Sequence, residues 1–147
     1  MTPIESKEME TIDFSSKGEN ITIVERLIDD LCEKHNIPEE HYGNILIALT
    51  EAANNAIYHG NRNDPDKKVT LHYEASPSKF YFKIEDEGPG FDYENVPDPT
   101  SPENLEKPNG RGVFLMRHLS DEMNFSEEGR VVEIIFSDLT KPVEVSA

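Results

Sequence analysis

The spacing of apolar residues changes along the chain, and this change constrains the fold more than any other feature. Between Ile21 and Gly60, apolar side chains recur every three or four positions, which places them on one face of an α-helix. From Val69 onward they alternate with polar side chains, as in half-buried β-strands. One later stretch, residues 112–119, returns to helical spacing. The pattern therefore predicts an α+β fold in which helices precede most of the sheet.

The individual elements follow from the same pattern. We expect one amphipathic helix whose apolar positions run from Ile21 to Cys32, and a second that Pro38 opens and Gly60 ends. Strands are predicted at residues 10–15, 69–75, 79–85, 122–126 and 130–137. This order predicts a two-layer α/β sandwich, with helices on one face of a mixed, mostly antiparallel sheet.

Length, charge and hydropathy limit the classes of function that this chain can have. The 147 residues suffice for a single domain, 1–147, with its core at about 11–137. Since 14 Lys and Arg stand against 30 Asp and Glu, the formal charge is −16, and we predict no direct nucleic-acid binding. No stretch reaches the roughly 18 apolar residues of a membrane span, and the N-terminus does not resemble a signal peptide, which predicts a cytoplasmic protein. The single cysteine, Cys32, lies on an apolar helix stripe, so we expect a buried, inert thiol.

A polar column on the second predicted helix is the first candidate site. Glu51, Asn55 and His59 are spaced four residues apart and share one helix face, and small alanines flank them. Taken alone, such a column is more often only a solvated helix face. We expect His59 to be a residue of the helix end, without a role in catalysis.

Two glycine-rich turns are the other candidates. Residues 86–91 place Asp86 directly after a predicted strand and follow it with Gly88 and Gly90, which allow a close approach of the backbone. Residues 109–112 place Arg111 between two glycines at a helix N-terminus, where free N–H groups can bind an anion. Alone, the first is also a common turn composition and the second a plausible hinge.

Together, the three segments resemble the N, G1 and G2 boxes of the histidine-kinase-like ATPase superfamily, whose domain is the Bergerat ATP-binding fold. Within it, the chain is most similar to the small stand-alone anti-sigma-factor serine/threonine kinases of the RsbW type. The runs that carry this likeness are Glu-Ala-x-x-Asn-Ala-x-x-His at residues 51–59 and Gly-Arg-Gly-Val-Phe-Leu-Met at residues 110–116. The likeness covers about residues 11–136.

The resemblance implies a role for eight residues. Asn55 would hold Mg²⁺ against the triphosphate of ATP, and Glu51 would be the general base. Asp86 would accept a hydrogen bond from the adenine amino group. The glycine-rich turns would surround the nucleotide, with Gly88 and Gly90 around the base and ribose, and with Gly110, Arg111 and Gly112 over the phosphates.

The resemblance also implies a loop that closes over the nucleotide. Residues 92–109 would form this ATP lid, and residues 138–147 a tail. Four prolines and few apolar residues predict that the lid is mobile until a triphosphate draws Arg111 inward. We expect neither a transducer domain nor a phosphoacceptor-helix domain within these residues.

The implied function is an ATP-binding anti-sigma factor that is also a protein serine/threonine kinase. Its partners would be a sigma factor and a small antagonist of the STAS type, and the resemblance suggests a homodimer. One position departs from the pattern, because Arg130 stands where the superfamily commonly has a threonine that helps to hold adenine. Either the adenine pocket is completed differently or nucleotide affinity is weakened. The alternative function is a catalytically weak, nucleotide-binding sequestering protein without kinase turnover.

Overall fold

A five-stranded antiparallel sheet and three helices make up residues 9–90 and 110–143, which the computed structural model describes. The strands are β1 (Glu10–Ser15), β2 (Lys68–Ala75), β3 (Phe80–Glu85), β4 (Glu122–Ser126) and β5 (Val131–Phe136). The helices are α1 (Ile21–Lys34), α2 (Glu39–Asn54) and α3 (Gly110–Leu119). The predicted lid at 92–109 lies outside the described residues.

The sheet has the strand order β1-β2-β3-β5-β4, and each of these neighbouring pairs is antiparallel. The predicted α+β sandwich is therefore confirmed, and the parallel pairing that a mixed sheet would contain is not present among the described strands. Two of these pairs are hairpins: β2 and β3 are joined by residues 76–79, and β4 turns back into β5 through Glu127–Gly129.

All three helices contribute to one hydrophobic core on a single face of the sheet. The inward-facing side chains of the central strands alternate with polar ones, as the period of two requires. In β3 and β5 the aromatic rings of Phe80, Phe82 and Phe136 pack edge to face, with centroids 6.0 and 6.2 Å apart. Cys32 is buried in this core, and burial raises the pKa of its thiol to about 11, which keeps it protonated and unreactive.

The second predicted helix changes its geometry before it ends. Its α-helical part stops at Asn54 and continues as a π-helical turn, Asn55–Gly60, which we call the π turn. There the N–H of Asn61 donates to the carbonyl oxygen of Ala56, five residues earlier, at 2.8 Å. A π turn is rare and often occurs at functional sites. Here it begins at Asn55, the residue that the resemblance assigns to Mg²⁺.

Gly43 offers a direct test of the α2 assignment. It lies inside the helix, and a Cβ atom at this position would have no neighbour within 4 Å. Because glycine loses more backbone entropy than alanine in a helix, Gly43→Ala should raise the free energy of unfolding by about 0.5–1 kcal/mol. Urea unfolding monitored by circular dichroism measures this change. A destabilised variant would contradict the helical, unobstructed environment of Gly43.

Candidate functional site

The three sequence motifs meet around the C-terminal end of α2. The chain at this point is so tightly packed that side chains are excluded. A Cβ atom on Gly60 would lie 2.3 Å from Oδ2 of Asp86, and one on Gly88 would lie 1.8 Å from the carbonyl oxygen of Gly60. A Cβ atom on Gly112 would lie 3.1 Å from Oε2 of Glu51. The second motif therefore packs on the π turn, and the third packs on Glu51.

Residues 86–90 form a turn at the end of β3, which we call the Asp86 turn. Sheet pairing continues to its first residue, because the N–H of Asp86 donates to the carbonyl oxygen of Arg130 at 2.9 Å. Its other end lies against the turn after β4: Gly90 has a φ of +85°, and a Cβ atom there would lie 2.3 Å from the carbonyl oxygen of Glu128. The Asp86 turn is thus held from both sides by backbone, and Gly88 and Gly90 are glycines for steric reasons.

The carboxylate of Asp86 is suited to accept a hydrogen bond from a ligand. Its Oδ1 already accepts the N–H of Gly88 at 2.9 Å. Burial raises the pKa of this carboxyl group, while the Gly88 N–H and the positive charges of Arg130 and Lys67 partly offset that increase. A carboxylate can accept about four hydrogen bonds, so capacity remains for an amino group such as that of adenine.

Glu51 lies in the last α-helical turn of α2, half-buried and facing the first turn of α3. A Cβ atom at position 112 would make a tight contact with this carboxylate, which would have to shift by a few tenths of an ångström. Asn55, one turn later, is half-buried at the start of the π turn. The helical spacing of the first motif thus places Glu51 and Asn55 on the same side of the helix end. His59 lies in the last turn and is exposed, although desolvation of its ring lowers the pKa of the imidazole.

Helix α3 begins at Gly110, two residues earlier than the apolar pattern predicted. Gly110, Arg111 and Gly112 therefore belong to its first turn, where N–H groups have no partner within the helix and can bind an anion. The Arg111 side chain is exposed. These three residues and the Glu51 carboxylate lie at the same end of α3.

The fit of Mg²⁺ can be assessed from the donors present. No group of three or more His, Cys, Asp or Glu that could hold a metal occurs within residues 9–90 and 110–143. Mg²⁺ does not need such a cluster, because it is usually bound by one or two protein oxygens together with water and the phosphates of a nucleotide. The amide oxygen of Asn55, one helical turn from the Glu51 carboxylate, is a hard oxygen donor of the required kind.

Arg130, the departure from the superfamily pattern, lies beside Asp86. Its Nη1 is 3.7 Å from Oε2 of Glu128. Burial raises the pKa of Asp86, and the positive charge of Arg130 partly offsets that increase. A guanidinium carries five N–H donors, so Arg130 retains the ability to donate a hydrogen bond near the carboxylate. Arg130 therefore differs from threonine in size and charge but, like a threonine hydroxyl, can donate a hydrogen bond.

A cleft of 410 Å³ borders Asp86 on the opposite face of the sheet. Lys83 and Glu133 point into it, and both alternate with core residues, so this face is turned away from the helices. The lining residues carry four acidic and two basic side chains, which disfavours a triphosphate: Lys83, Glu85, Asp86, Ser126, Glu127, Arg130, Val131 and Glu133. This cleft therefore lacks the positive charge that a strongly anionic ligand needs.

Two contributors to the site were missed by the sequence reasoning. Gly60 was interpreted only as a helix stop, yet it is the surface on which Asp86 and Gly88 pack. Asn61, which is fully buried, was not singled out, although its side chain hydrogen bonds to three other segments. The Gly-Asn pair at the end of the helix that carries the first motif could have indicated them. A polar side chain at such a position can hydrogen bond to backbone groups of a neighbouring segment.

The chain is similar to known proteins over most of its length. The family model described as histidine kinase-like ATPase domain matches residues 14–136. An anti-sigma F factor of Halalkalibacterium halodurans is 28% identical over 129 residues, covering 85% of this chain and 87% of that protein. The serine-protein kinase RsbW of Listeria innocua is 24% identical over 144 residues, covering 93% and 92%. An anti-sigma F factor of Anoxybacillus flavithermus is 35% identical over 104 residues, covering 66% and 69%.

Proposed function

Because the chain belongs to the family of histidine kinase-like ATPase domains, we propose that it binds ATP with Mg²⁺ and acts as an anti-sigma factor with kinase activity. The proposed phosphoacceptor is a serine or threonine of a small antagonist protein. The site would comprise Glu51 as the general base and Asn55 as the Mg²⁺ ligand, and the nucleotide would be held by Asp86, Gly88, Gly90, Gly110, Arg111 and Gly112.

One observation carries this proposal: the Asp86 turn and the first turn of α3 pack against the same helix end, at Gly60 and at Glu51. A half-buried carboxylate, Asp86, lies at one side of that end, and a set of free N–H groups with a guanidinium lies at the other. Adenine presents an amino group that donates, and a triphosphate presents anionic oxygens that accept. A carboxylate at one side of the site and N–H donors at the other therefore match the two ends of ATP.

The chemistry assigned to this chain is proton transfer and charge stabilisation. Bound Mg-ATP supplies the phosphoryl group that is transferred. The Glu51 carboxylate accepts the proton of the attacking hydroxyl, while Arg111 and the N–H groups at the start of α3 stabilise negative charge on the transferred group. ADP leaves, and the phosphoryl group remains on the oxygen of the acceptor protein.

The presence of Glu51 favours a kinase over a protein that only sequesters its partner. Nucleotide binding alone gives no chemical reason for a carboxylate at the point where α3 approaches α2. The glycine at position 112 leaves room for this carboxylate, since a Cβ atom there would approach its oxygen to 3.1 Å.

The name anti-sigma F factor supports a sigma factor as one proposed partner, and the family resemblance is the source of the other proposed partners. Proteins called anti-sigma F factor and serine-protein kinase are similar to this chain over most of its length. We infer a sigma factor and a small antagonist of the STAS type as partners, and a homodimer as the assembly. No helix within the described residues is long and apolar enough to cross a membrane.

Loss of the proposed Mg²⁺ ligand tests the nucleotide site. Asn55→Ala should weaken Mg-dependent ATP binding by about tenfold or more, because the ion loses its protein oxygen, while the much weaker binding without Mg²⁺ should not change. Isothermal titration calorimetry with and without Mg²⁺ measures both affinities. Asn54→Ala is the matched control, since its neighbouring amide is also half-buried in α2.

Two results would contradict this proposal. If the unmodified protein shows no thermal stabilisation by saturating Mg-ATP, the chain does not bind the nucleotide. If Asn55→Ala and Asn54→Ala bind Mg-ATP equally well, the Mg²⁺ ligand lies elsewhere.

A further inference from the structure

We propose that Asn61 is a positioning residue that holds the Asp86 turn in place and so makes the site selective for adenine. The inference rests on the proposed function, because it concerns how Asp86 recognises the base. Asn61 itself is placed away from the nucleotide and acts through its neighbours.

The side chain of Asn61 joins three segments of the chain and is fully buried. Its Nδ2 donates to Oγ of Ser16 at 2.7 Å, just after β1, and to the carbonyl oxygen of Lys68 at 2.9 Å, at the start of β2. Its Oδ1 accepts the N–H of Glu87 at 2.6 Å, inside the Asp86 turn. The partners determine the orientation of the amide, because an N–H requires an oxygen acceptor and a carbonyl requires a donor.

Ser16 extends this network away from the site. It is also fully buried, and its Oγ donates to the carbonyl oxygen of Lys67 at 2.9 Å, while its N–H donates to the same oxygen at 3.0 Å. Both donors of the Asn61 amide are used on the strand side, and its oxygen is used on the Asp86 turn. A buried network in which every member has a partner restricts the position of each segment.

The link from Asn61 to Asp86 is short on both sides. Glu87, whose N–H Asn61 accepts, is the residue directly after Asp86. Gly60, against which the Asp86 carboxylate packs, is the residue directly before Asn61. Loss of the Asn61 amide therefore frees the turn that carries the carboxylate and leaves the Glu87 N–H without its buried acceptor.

The preference for one base over another distinguishes a positioning role of Asn61 from a general effect on protein stability. Inosine triphosphate has a carbonyl oxygen where adenine has its amino group, so a correctly placed Asp86 carboxylate should favour ATP by about tenfold or more. A displaced carboxylate loses this preference, whereas a merely less stable protein weakens both ligands equally. The ratio of the two dissociation constants therefore reports on the position of Asp86.

The experiment measures that ratio by calorimetry in full-length variants at saturating Mg²⁺. In Asn61→Ala we expect the preference for ATP to fall by about fivefold or more. Ser16→Ala is the matched control, because it perturbs the same network but leaves the Asn61–Glu87 hydrogen bond in place, and its ratio should stay within about twofold of the unmodified protein. If Asn61→Ala does not fold, Asn61→Ser is used in its place. Serine keeps a polar group at this buried position, but its shorter side chain cannot reach all three partners of Asn61.

The outcomes distinguish the inference from its premise. A reduced ratio in Asn61→Ala with an unchanged ratio in Ser16→Ala supports the positioning role. An unchanged ratio in a folded Asn61→Ala or Asn61→Ser variant overturns it, even where both affinities fall. If the unmodified protein binds neither ATP nor inosine triphosphate, the proposed nucleotide site is wrong, and the inference falls with it.

Discussion

Glu51→Gln is expected to slow phosphotransfer by about two to four decades, the usual contribution of a positioned general base. The amide has nearly the shape of the carboxylate, so the packing against Gly112 is kept while the proton acceptor is lost. Nucleotide affinity should change little, because the base acts on the incoming hydroxyl. Single-turnover transfer of labelled phosphate to the antagonist protein, together with calorimetry of Mg-ATP binding, measures the two effects.

The control for this prediction is Glu25→Gln, which removes an exposed carboxylate from α1 without touching the site. Its transfer rate should equal that of the unmodified protein. Should Glu51→Gln also transfer phosphate at the unmodified rate, Glu51 is only a polar residue of the helix face, and the kinase would require another base.

Gly88→Ala should destabilise the fold by about 3 kcal/mol or more, which is a factor above one hundred in the folding equilibrium. The added Cβ atom would lie 1.8 Å from the carbonyl oxygen of Gly60 and 2.4 Å from its carbonyl carbon. These atoms belong to the backbone of the π turn and cannot rotate away, so the Asp86 turn must shift. Urea unfolding measures the stability, and ATP affinity should fall in the same variant because Asp86 moves with its turn.

Gly43→Ala provides the opposite control for the same substitution. It adds a methyl group where no atom lies within 4 Å, and there it should be stabilising. If Gly88→Ala were as stable as the unmodified protein, the contact between the Asp86 turn and the π turn would be looser than the structure has it.

The secondary structure could be read from the sequence because it depends on local patterns. Strands β1 and β4 have the predicted bounds, and the other three differ by no more than one residue at each end. The alternation of polar and apolar residues decides which side of a strand faces the core, and the spacing of three and four does the same for a helix. The early start of α3 was missed because Gly110 disfavours a helix locally, and packing of α3 against α2 outweighs that preference.

The candidate residues of the site were also visible in the sequence, since glycine, carboxylate and amide side chains stand out at motif spacing. Their roles as Mg²⁺ ligand, base and nucleotide contacts remain proposals. The resemblance to the histidine-kinase-like superfamily is confirmed by the match over residues 14–136.

The sequence by itself thus determined the elements, their order and the family, because each is written in local spacing or in short motifs. Only the tertiary structure decided which residues come into contact: Gly60 with Asp86 and Gly88, Gly112 with Glu51, and Asn61 with Ser16, Lys68 and Glu87. These contacts join different segments of the chain, and no local pattern records the distance between them. The change from α-helix to π turn at Asn55 was likewise visible only in the tertiary structure. It occurs where the end of the helix packs against the Asp86 turn.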